Sequence, residues 1–298
     1  MSKFYLLLCA LVLLSQPVLA EDNPIVDIQT NHGTITVQLA PDKSPLTVAN
    51  FLSYVNEGFY ENTIFHRIIP GFMIQGGGYN AALIQKPTHA PIKLEADNGL
   101  SNLRGTIAMA RTSMADSATA QFFINTVNNN FPTPGYAVFG KVIEGLNIVD
   151  VISKVSTNKA DTPLQSVTIE AARVREAQLS FKDLKPLYQA GESLTIALQE
   201  NTVTRQRALD LWVAVKLPNG EFRFISPENT ESFSAEAKPF MRKVGVNQMQ
   251  HSIITLTIPV GLAGQYSVYA IFNEPERDVT DLTHSLRSNL ANVALELR

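Results

Sequence analysis

Arg67 and Gln75 are the polar side chains best placed to do chemistry, because both lie among apolar neighbours in the run FHRIIPGFMIQGGG, from Phe65 to Gly78. A guanidinium stays charged at any relevant pH and offers several donors in a fixed plane, and an amide both donates and accepts. Such a pair on an oily surface can orient a small substrate by a few hydrogen bonds while apolar groups hold its body. The β-branched and aromatic residues on either side of Pro70-Gly71 predict two strands joined by a tight turn, with Gly76-Gly77-Gly78 ending the second strand as a turn. Arg67 and Gln75 then sit on neighbouring strands. Taken singly, each has a plainer reading: Arg67 as a strand arginine in a structural ion pair, Gln75 as a strand-end residue bonded to backbone. The triple glycine lacks the Gly-Lys-Ser/Thr ending of a phosphate loop. The five histidines are scattered without ligand spacing, so no metal site is expected.

Several short elements must position this run. Ile25 to Thr30 and Thr34 to Leu39 flank His32-Gly33, which predicts a hairpin. Ser44 as N-cap and Pro45 at the first helical position start a helix whose Val48, Phe51, Leu52 and Val55 share one face before Gly58 ends it. A second helix is expected from Leu146 through Val149, Ile152 and Val155, and a last strand from Val167 to Val174. Phe122 and Phe123 point to opposite faces if they lie on a strand, so one of them belongs to the core. Many short strands and two helices suit a closed barrel whose ends the helices plug.

Four ordered motifs carry a resemblance. The run FHRIIPGFMIQGGG is followed by Met109-Ala110-Arg111, by Gln121-Phe122-Phe123-Ile124 and by Tyr136-Ala137-Val138-Phe139-Gly140-Lys141-Val142. Together they resemble the cyclophilin-type peptidyl-prolyl cis-trans isomerases over roughly residues 24–176. The stretches Pro91 to Leu100 and Arg104 to Ala108 are similar to the bacterial exported branch of that family. The resemblance implies the cyclophilin barrel and an enzyme that turns the amide before proline. That reaction breaks no bond, so it needs no nucleophile, metal or cofactor, and it has no proton for His66 to move. A donor aimed at the prolyl nitrogen draws its lone pair out of resonance as the bond twists, and Arg67 suits this role. By the same resemblance Arg67, Gln75 and Phe72 are the catalytic set, with Gln75 positioning Arg67. Met73, Gln121, Phe123, Phe131, Pro132 and Tyr136 bind substrate, with Ala110 and Arg111 pairing to its chain through their backbone. Phe131 and Tyr136 stand where the commonest eukaryotic pattern has tryptophan and histidine, and Arg111 where asparagine is frequent.

The first twenty residues form their own unit. Lys3 supplies a positive start, Phe4 to Leu14 an apolar stretch and Val18-Leu19-Ala20 a small-residue cleavage site, the signature of a secretory signal peptide. The stretch is interrupted by Ser15, Gln16 and Pro17 and is short of the roughly 20 apolar residues of a spanning helix. No membrane insertion is therefore expected after cleavage, and the expected location is the periplasm or beyond. The only cysteine, Cys9, falls inside this leader. The 278 residues that follow exceed what one small core organises, so two domains are expected, 21–177 and 178–298. Residues 21–176 carry 11 Lys plus Arg against 14 Asp plus Glu, and residues 177–298 carry 12 against 13. Neither has the basic surplus that nucleic acid or an acidic membrane demands.

Beyond Ala177 the pattern changes. Leu179 to Tyr188 reads as a linker or first edge strand. Leu194, Ile196 and Leu198, then Leu211, Val213, Val215 and Leu217, then Ile254, Leu256 and Ile258, then Tyr266, Val268, Ala270 and Phe272 form rows of period two. Turn signals separate them at Pro218-Asn219-Gly220 and between Gly261 and Gly264. This predicts an antiparallel β-sandwich. The segment Ala263 to Val268 resembles the tyrosine corner of immunoglobulin-like domains, with Trp212 as the expected core tryptophan. The whole chain is thus expected to be mainly β, an exported prolyl isomerase acting without cofactor on proline-containing polypeptides, its second domain holding a protein partner. The alternative is a cyclophilin scaffold kept for peptide binding, as an adhesin or assembly module.

Overall fold

The computed structural model describes residues 23–298 apart from 130, 132–134, 203, 204, 206, 228–232, 247, 278 and 280. The expected signal peptide and Pro132 therefore lie outside the described residues. The first half runs β1 (Ile25–Thr30), β2 (Gly33–Leu39), α1 (Pro45–Asn56), β3 (Thr63–Ile69), β4 (Met73–Asn80), β5 (Thr106–Met109), β6 (Phe122–Asn125), β7 (Val138–Glu144), α2 (Leu146–Ile152) and β8 (Thr168–Arg175). These eight strands close into a barrel in the order β1-β2-β7-β5-β6-β4-β3-β8, every pair antiparallel. Each strand has a neighbour on both sides, although β8 meets β3 only at Thr63 and Ile64, and alternate side chains fill the interior. Val26, Ile28, Val37, Phe65, Ile74, Ile107, Phe122 and Phe139 are among those that do so. The helix α1 adds Val48, Phe51 and Val55, with the Phe51 ring 5.7 Å from Phe122 and 5.1 Å from Phe139.

The start of α1 is capped from far away in sequence. Ser44 occupies the N-cap position, but its side chain makes no capping bond and instead donates to the Val138 carbonyl at 2.8 Å. The orphan amides go to Glu95, whose carboxylate accepts from the N–H of Leu46 at 3.1 Å, from the N–H of Thr47 at 2.8 Å and from the Thr47 hydroxyl at 2.7 Å. An anion at a helix N-terminus meets both the unpaired N–H groups and the positive end of the dipole. The second helix, α2, stops at Ile152, three residues short of the sequence expectation, and Val155 packs against the core from the turn that follows.

Only Glu176 separates β8 from the next strand, so the chain continues without a linker. The second half comprises β9 (Ala177–Phe181), β10 (Leu187–Tyr188), β11 (Ser193–Thr202), β12 (Leu209–Lys216), β13 (Phe222–Ile225), β14 (Phe233–Ser234), β15 (Met241–Val244), β16 (Gln250–Thr257), β17 (Gly264–Asn273), α3 (Leu282–Ser285) and β18 (Ala291–Leu297). One sheet runs β10-β18-β17-β12-β13-β14 with β15 on β12, and a second runs β16-β11-β9. Leu194, Ile196 and Leu198 of β11 meet Leu211, Val213 and Val215 of β12 in a core shared by both sheets. Trp212 is not in it. Alternation sends Trp212 to the opposite face of β12, where its ring meets Phe224 at 6.2 Å, because its neighbours Leu211 and Val213 already face inward.

Replacing Glu95 by alanine is expected to lower unfolding free energy by about 1–2 kcal/mol, the scale of a lost N-cap. Urea denaturation followed by far-UV circular dichroism measures this, and an unchanged midpoint would show that water caps α1 equally well.

Candidate active site

The position of Arg67 is set by an irregularity in its own strand. Phe65 is fully buried in the barrel core, so strict alternation would aim Arg67 at the same core. The pairing register shifts instead: Phe65 faces Gly76 and Arg67 faces Gln75, leaving His66 as an extra residue. This bulge moves the alternation by half a period. Ile68 then fills the core with Phe65, while Arg67 and Ile69 face outward. The Arg67 side chain is 45% exposed.

The partner strand absorbs a second irregularity. Between Ile64 opposite Tyr79 and Phe65 opposite Gly76, β4 carries the extra residues Gly77 and Gly78. The triple glycine is therefore a bulge inside a strand, not the turn expected from sequence. Gly77 has φ +78°, and a Cβ there would lie 2.8 Å from the rings of Tyr60 and Phe122. A Cβ on Gly78 would stand 2.4 Å from Cγ of Gln121. Glycine is required here because aromatic rings and the Gln121 side chain take the space of a side chain.

Register then lines up the outward residues. Arg67 lies opposite Gln75, Gln75 opposite Phe123, Phe123 opposite Ala108 and Ala108 opposite Val138, one row across β3, β4, β6, β5 and β7. Directly opposed residues share a face and approach closely. Met73, Ala108, Phe123 and Val138 bury themselves as a small apolar cluster separate from the barrel core, with Ile69, Phe72, Ala110, Phe131 and Tyr136 packed around it. Phe122, one residue earlier on the same strand, belongs to the barrel core.

Aromatic rings wall this surface. Phe131 sits 5.8 Å from Phe72, 6.0 Å from Phe123 and 4.7 Å from Tyr136, and Phe123 lies edge-on to Tyr136 at 5.3 Å. The Arg111 guanidinium lies 4.8 Å from the Tyr136 ring centre and donates to the Gly135 carbonyl through Nη2 at 2.7 Å. Its side chain thus braces the wall, beyond the backbone role the resemblance implies. The N–H of Ala110 is already given to the Gln121 carbonyl at 2.9 Å, so that half of its peptide group is engaged within the fold. Gln75 donates through Nε2 to Oε1 of Gln121 at 3.0 Å.

Three residues that sequence reasoning missed hold the site together. Asn129 donates to the Phe72 carbonyl at 2.9 Å and to Oδ1 of the buried Asn125 at 2.7 Å, tying down the turn that carries Phe72. Asp161 places Oδ2 at 3.6 Å from Nε of Arg67. No local pattern flags Asn129 or Asp161, because Asn129 reaches Phe72 and Asp161 reaches Arg67 across long stretches of sequence. A cleft of about 870 Å³ lies elsewhere, lined by Glu61, Arg173, Glu176, Arg207, Glu274 and Arg287 among others. Those six charges pair with one another rather than facing into the cleft unpartnered.

The family model for the cyclophilin type peptidyl-prolyl cis-trans isomerases matches residues 25–174, the whole barrel but its last residue. The chain belongs to this family. The expected enzyme class, a cyclophilin-type prolyl isomerase, is thereby met. Peptidyl-prolyl cis-trans isomerase B of Escherichia coli is 51% identical over 164 residues, covering 51% of this chain and 100% of its own. The peptidyl-prolyl cis-trans isomerase of Acinetobacter baylyi is 51% identical over 162 residues, covering 51% of this chain and 86% of its own. A solved cyclophilin type peptidyl-prolyl cis-trans isomerase of Cryptosporidium parvum aligns with 27% identity, 51% of this chain, 97% of that one and a TM-score of 0.45.

His66, the bulge residue of this cyclophilin barrel, lies against Tyr79 with ring centres 4.6 Å apart, and its imidazole is pushed down to about 4 by burial first and by the Arg67 charge second. A folded value below the unfolded one means that the unfolded chain binds the extra proton. Stability from this group is then complete above about pH 6.5 and is lost as pH falls toward about 4. Allowing for solvent around the partly exposed ring, the loss should be about 2 kcal/mol. His66→Phe should flatten that part of the stability profile, read by urea midpoints from pH 7 down to about 4; an unchanged slope would place its origin in other groups.

Proposed function

We propose that this chain speeds proline-limited folding of exported polypeptides. Arg67 acts on the prolyl amide, and the cluster of Phe72, Met73, Phe123, Phe131 and Tyr136 holds the proline. The observation that carries the reading is the single outward row in which the Arg67 cation stands two strands from the Phe123 ring, about 10 Å between backbones. A proline seated on the rings has its nitrogen on the Arg67 side, while the Ala110 carbonyl and the Gln75–Gln121 amides line the path of the chain.

Magnitudes decide how the residues must share the work. The uncatalysed barrier is about 20 kcal/mol, and reaching ~10 turnovers per second requires lowering it by about 4 kcal/mol. One charged hydrogen bond contributes about 1.5–3 kcal/mol. Arg67 needs the rest from its surroundings. A peptide lying over the apolar row covers the exposed guanidinium and removes water from it, which strengthens the bond to a nitrogen whose lone pair localises only as the amide twists.

The leader at residues 1–20 directs the chain to the periplasm in this reading, and a reaction without ATP suits that compartment. Residues 21–177 carry the isomerase and residues 178–298 form an immunoglobulin-like client-holding unit. The Tyr266 hydroxyl donates to the Leu262 carbonyl at 3.1 Å, the bond of a tyrosine corner, which supports the likeness.

Arg67→Ala should lower kcat/KM on a prolyl tetrapeptide by about 10²-fold while leaving the fold intact, the scale of one donor lost from a developing charge. Activity near wild type would overturn the mechanism. Residues 21–177 alone should turn over that tetrapeptide as the full chain does, yet accelerate refolding of a proline-limited protein less well. Equal rates on both substrates would remove the client-holding role.

A further inference from the structure

The loop from 156 to 164 stands where a strand is missing. Strand β8 pairs with β3 only at Thr63 and Ile64, so the outer edge of β3 beyond that point needs other partners. The Phe65 N–H goes to the Val167 carbonyl at 2.9 Å and the Ile68 N–H to the Asp161 carbonyl at 2.8 Å. The loop is itself pinned: Oδ1 of Asn158 accepts from the N–H groups of Ala160 at 2.8 Å and Thr162 at 3.1 Å, and the Asp161 N–H goes to the Asn158 carbonyl at 3.1 Å. Asp161 takes a left-handed backbone, φ +62°, which aspartate and asparagine tolerate better than most residues. Its backbone is thus fixed beside the strand that carries Arg67, and its carboxylate lies on the Nε edge of that guanidinium.

We propose that Asp161 is a positioning residue for Arg67, its carboxylate drawing the guanidinium by charge across 3.6 Å at Nε so that the two Nη groups are left for the peptide. The inference rests on the reading that Arg67 acts on the prolyl amide. Both side chains are 40% exposed or more, so the pair adds little to stability. Its effect lies in aim. An exposed arginine explores many rotamers, and a donor that must meet a nitrogen only as the amide twists is sensitive to small misplacement. Gln75, to which the family resemblance gives that task, donates through Nε2 to Gln121, while the carboxylate beside the guanidinium is that of Asp161.

The test uses an uncharged prolyl tetrapeptide and the full chain. Asp161→Asn keeps the backbone preference and the size of the side chain while removing its charge. It should lower kcat/KM about three- to tenfold and leave the urea midpoint in place. In an Arg67→Ala background the same substitution should change nothing, since there is no guanidinium left to aim. In the wild-type protein, raising salt from about 50 mM to about 1 M should reproduce part of the loss by screening the pair, with no such effect in Asp161→Asn. Wild-type kcat/KM in Asp161→Asn, or a further fall of equal size on top of Arg67→Ala, would overturn the proposal. If Arg67→Ala alone retains full activity, the role of Arg67 fails first and that of Asp161 with it.

Discussion

A strand delivers its side chains alternately to two faces, and the site depends on where β3 breaks that rule. Phe65 must face inward, because its ring packs against Phe122 at the centre of the barrel. Without the extra residue at His66, Arg67 would follow it into a core of aliphatic and aromatic side chains, where an unpaired guanidinium costs several kcal/mol. With it, the cation emerges on the outer face in step with Gln75, Phe123 and Ala108. The glycines of β4 are the complement of the same break. They let the opposing strand bulge while the Tyr60 and Phe122 rings press against its backbone.

The outer face of a closed barrel ordinarily meets water, and here part of it is apolar. Phe123 and Met73 are nearly as buried as residues of the interior, with side chains from neighbouring segments, Phe131 and Tyr136 among them, packed against their cluster. Ring pairs of this kind contribute about 0.5–1.5 kcal/mol each beyond simple burial. Polar groups at the rim fix the segments in place: Asn129 on the Phe72 carbonyl, and Arg111 on the Gly135 carbonyl and the Tyr136 face. Such bracing holds the rings in place ahead of any ligand, which lowers the ordering cost of binding.

Charged groups cluster where the barrel meets the second half, and Gln29 adds a neutral bond to Thr283. Arg175, only 4% exposed, bonds Asp27 of β1, Glu144 of β7 and Thr36 of β2 from the end of β8. One residue later Glu176 pairs with Arg207 and Arg287, and Arg287 also with Glu274. Arg173 reaches Glu61 within the barrel and the His284 carbonyl across the junction. Arg175, Glu176 and Arg287 are nearly buried, so removing one partner would leave a charge uncompensated, at a cost of about 3–5 kcal/mol. The apolar cores on either side, by contrast, are closed within each half.

Much of this was written locally. Hydrophobic alternation marked the strands around Ile25, Thr34, Leu194 and Ile254, and the Ser44-Pro45 start and the Val48, Phe51 and Val55 face marked α1, because these signals need only a few neighbouring residues. The ordered motifs from Phe65 to Val142 carried the family, and they name most of the residues that share the outward face. What could not be read there depended on contacts distant in sequence. Ser44 looked like a cap, but the helix dipole found the carboxylate of Glu95, which only folding brings near. The glycines looked like a turn, because positive φ serves a turn and a bulge equally well. Trp212 looked like a core residue, yet Leu211 and Val213 had already taken the inward face. Residue types and their order determined that an arginine and a ring cluster would share one protein surface. Only the tertiary structure decided that a half-period shift at His66 turns Arg67 outward and that Asp161, ninety-four residues away in the chain, stands on its Nε edge, since both follow from strand register and loop packing rather than from local preference.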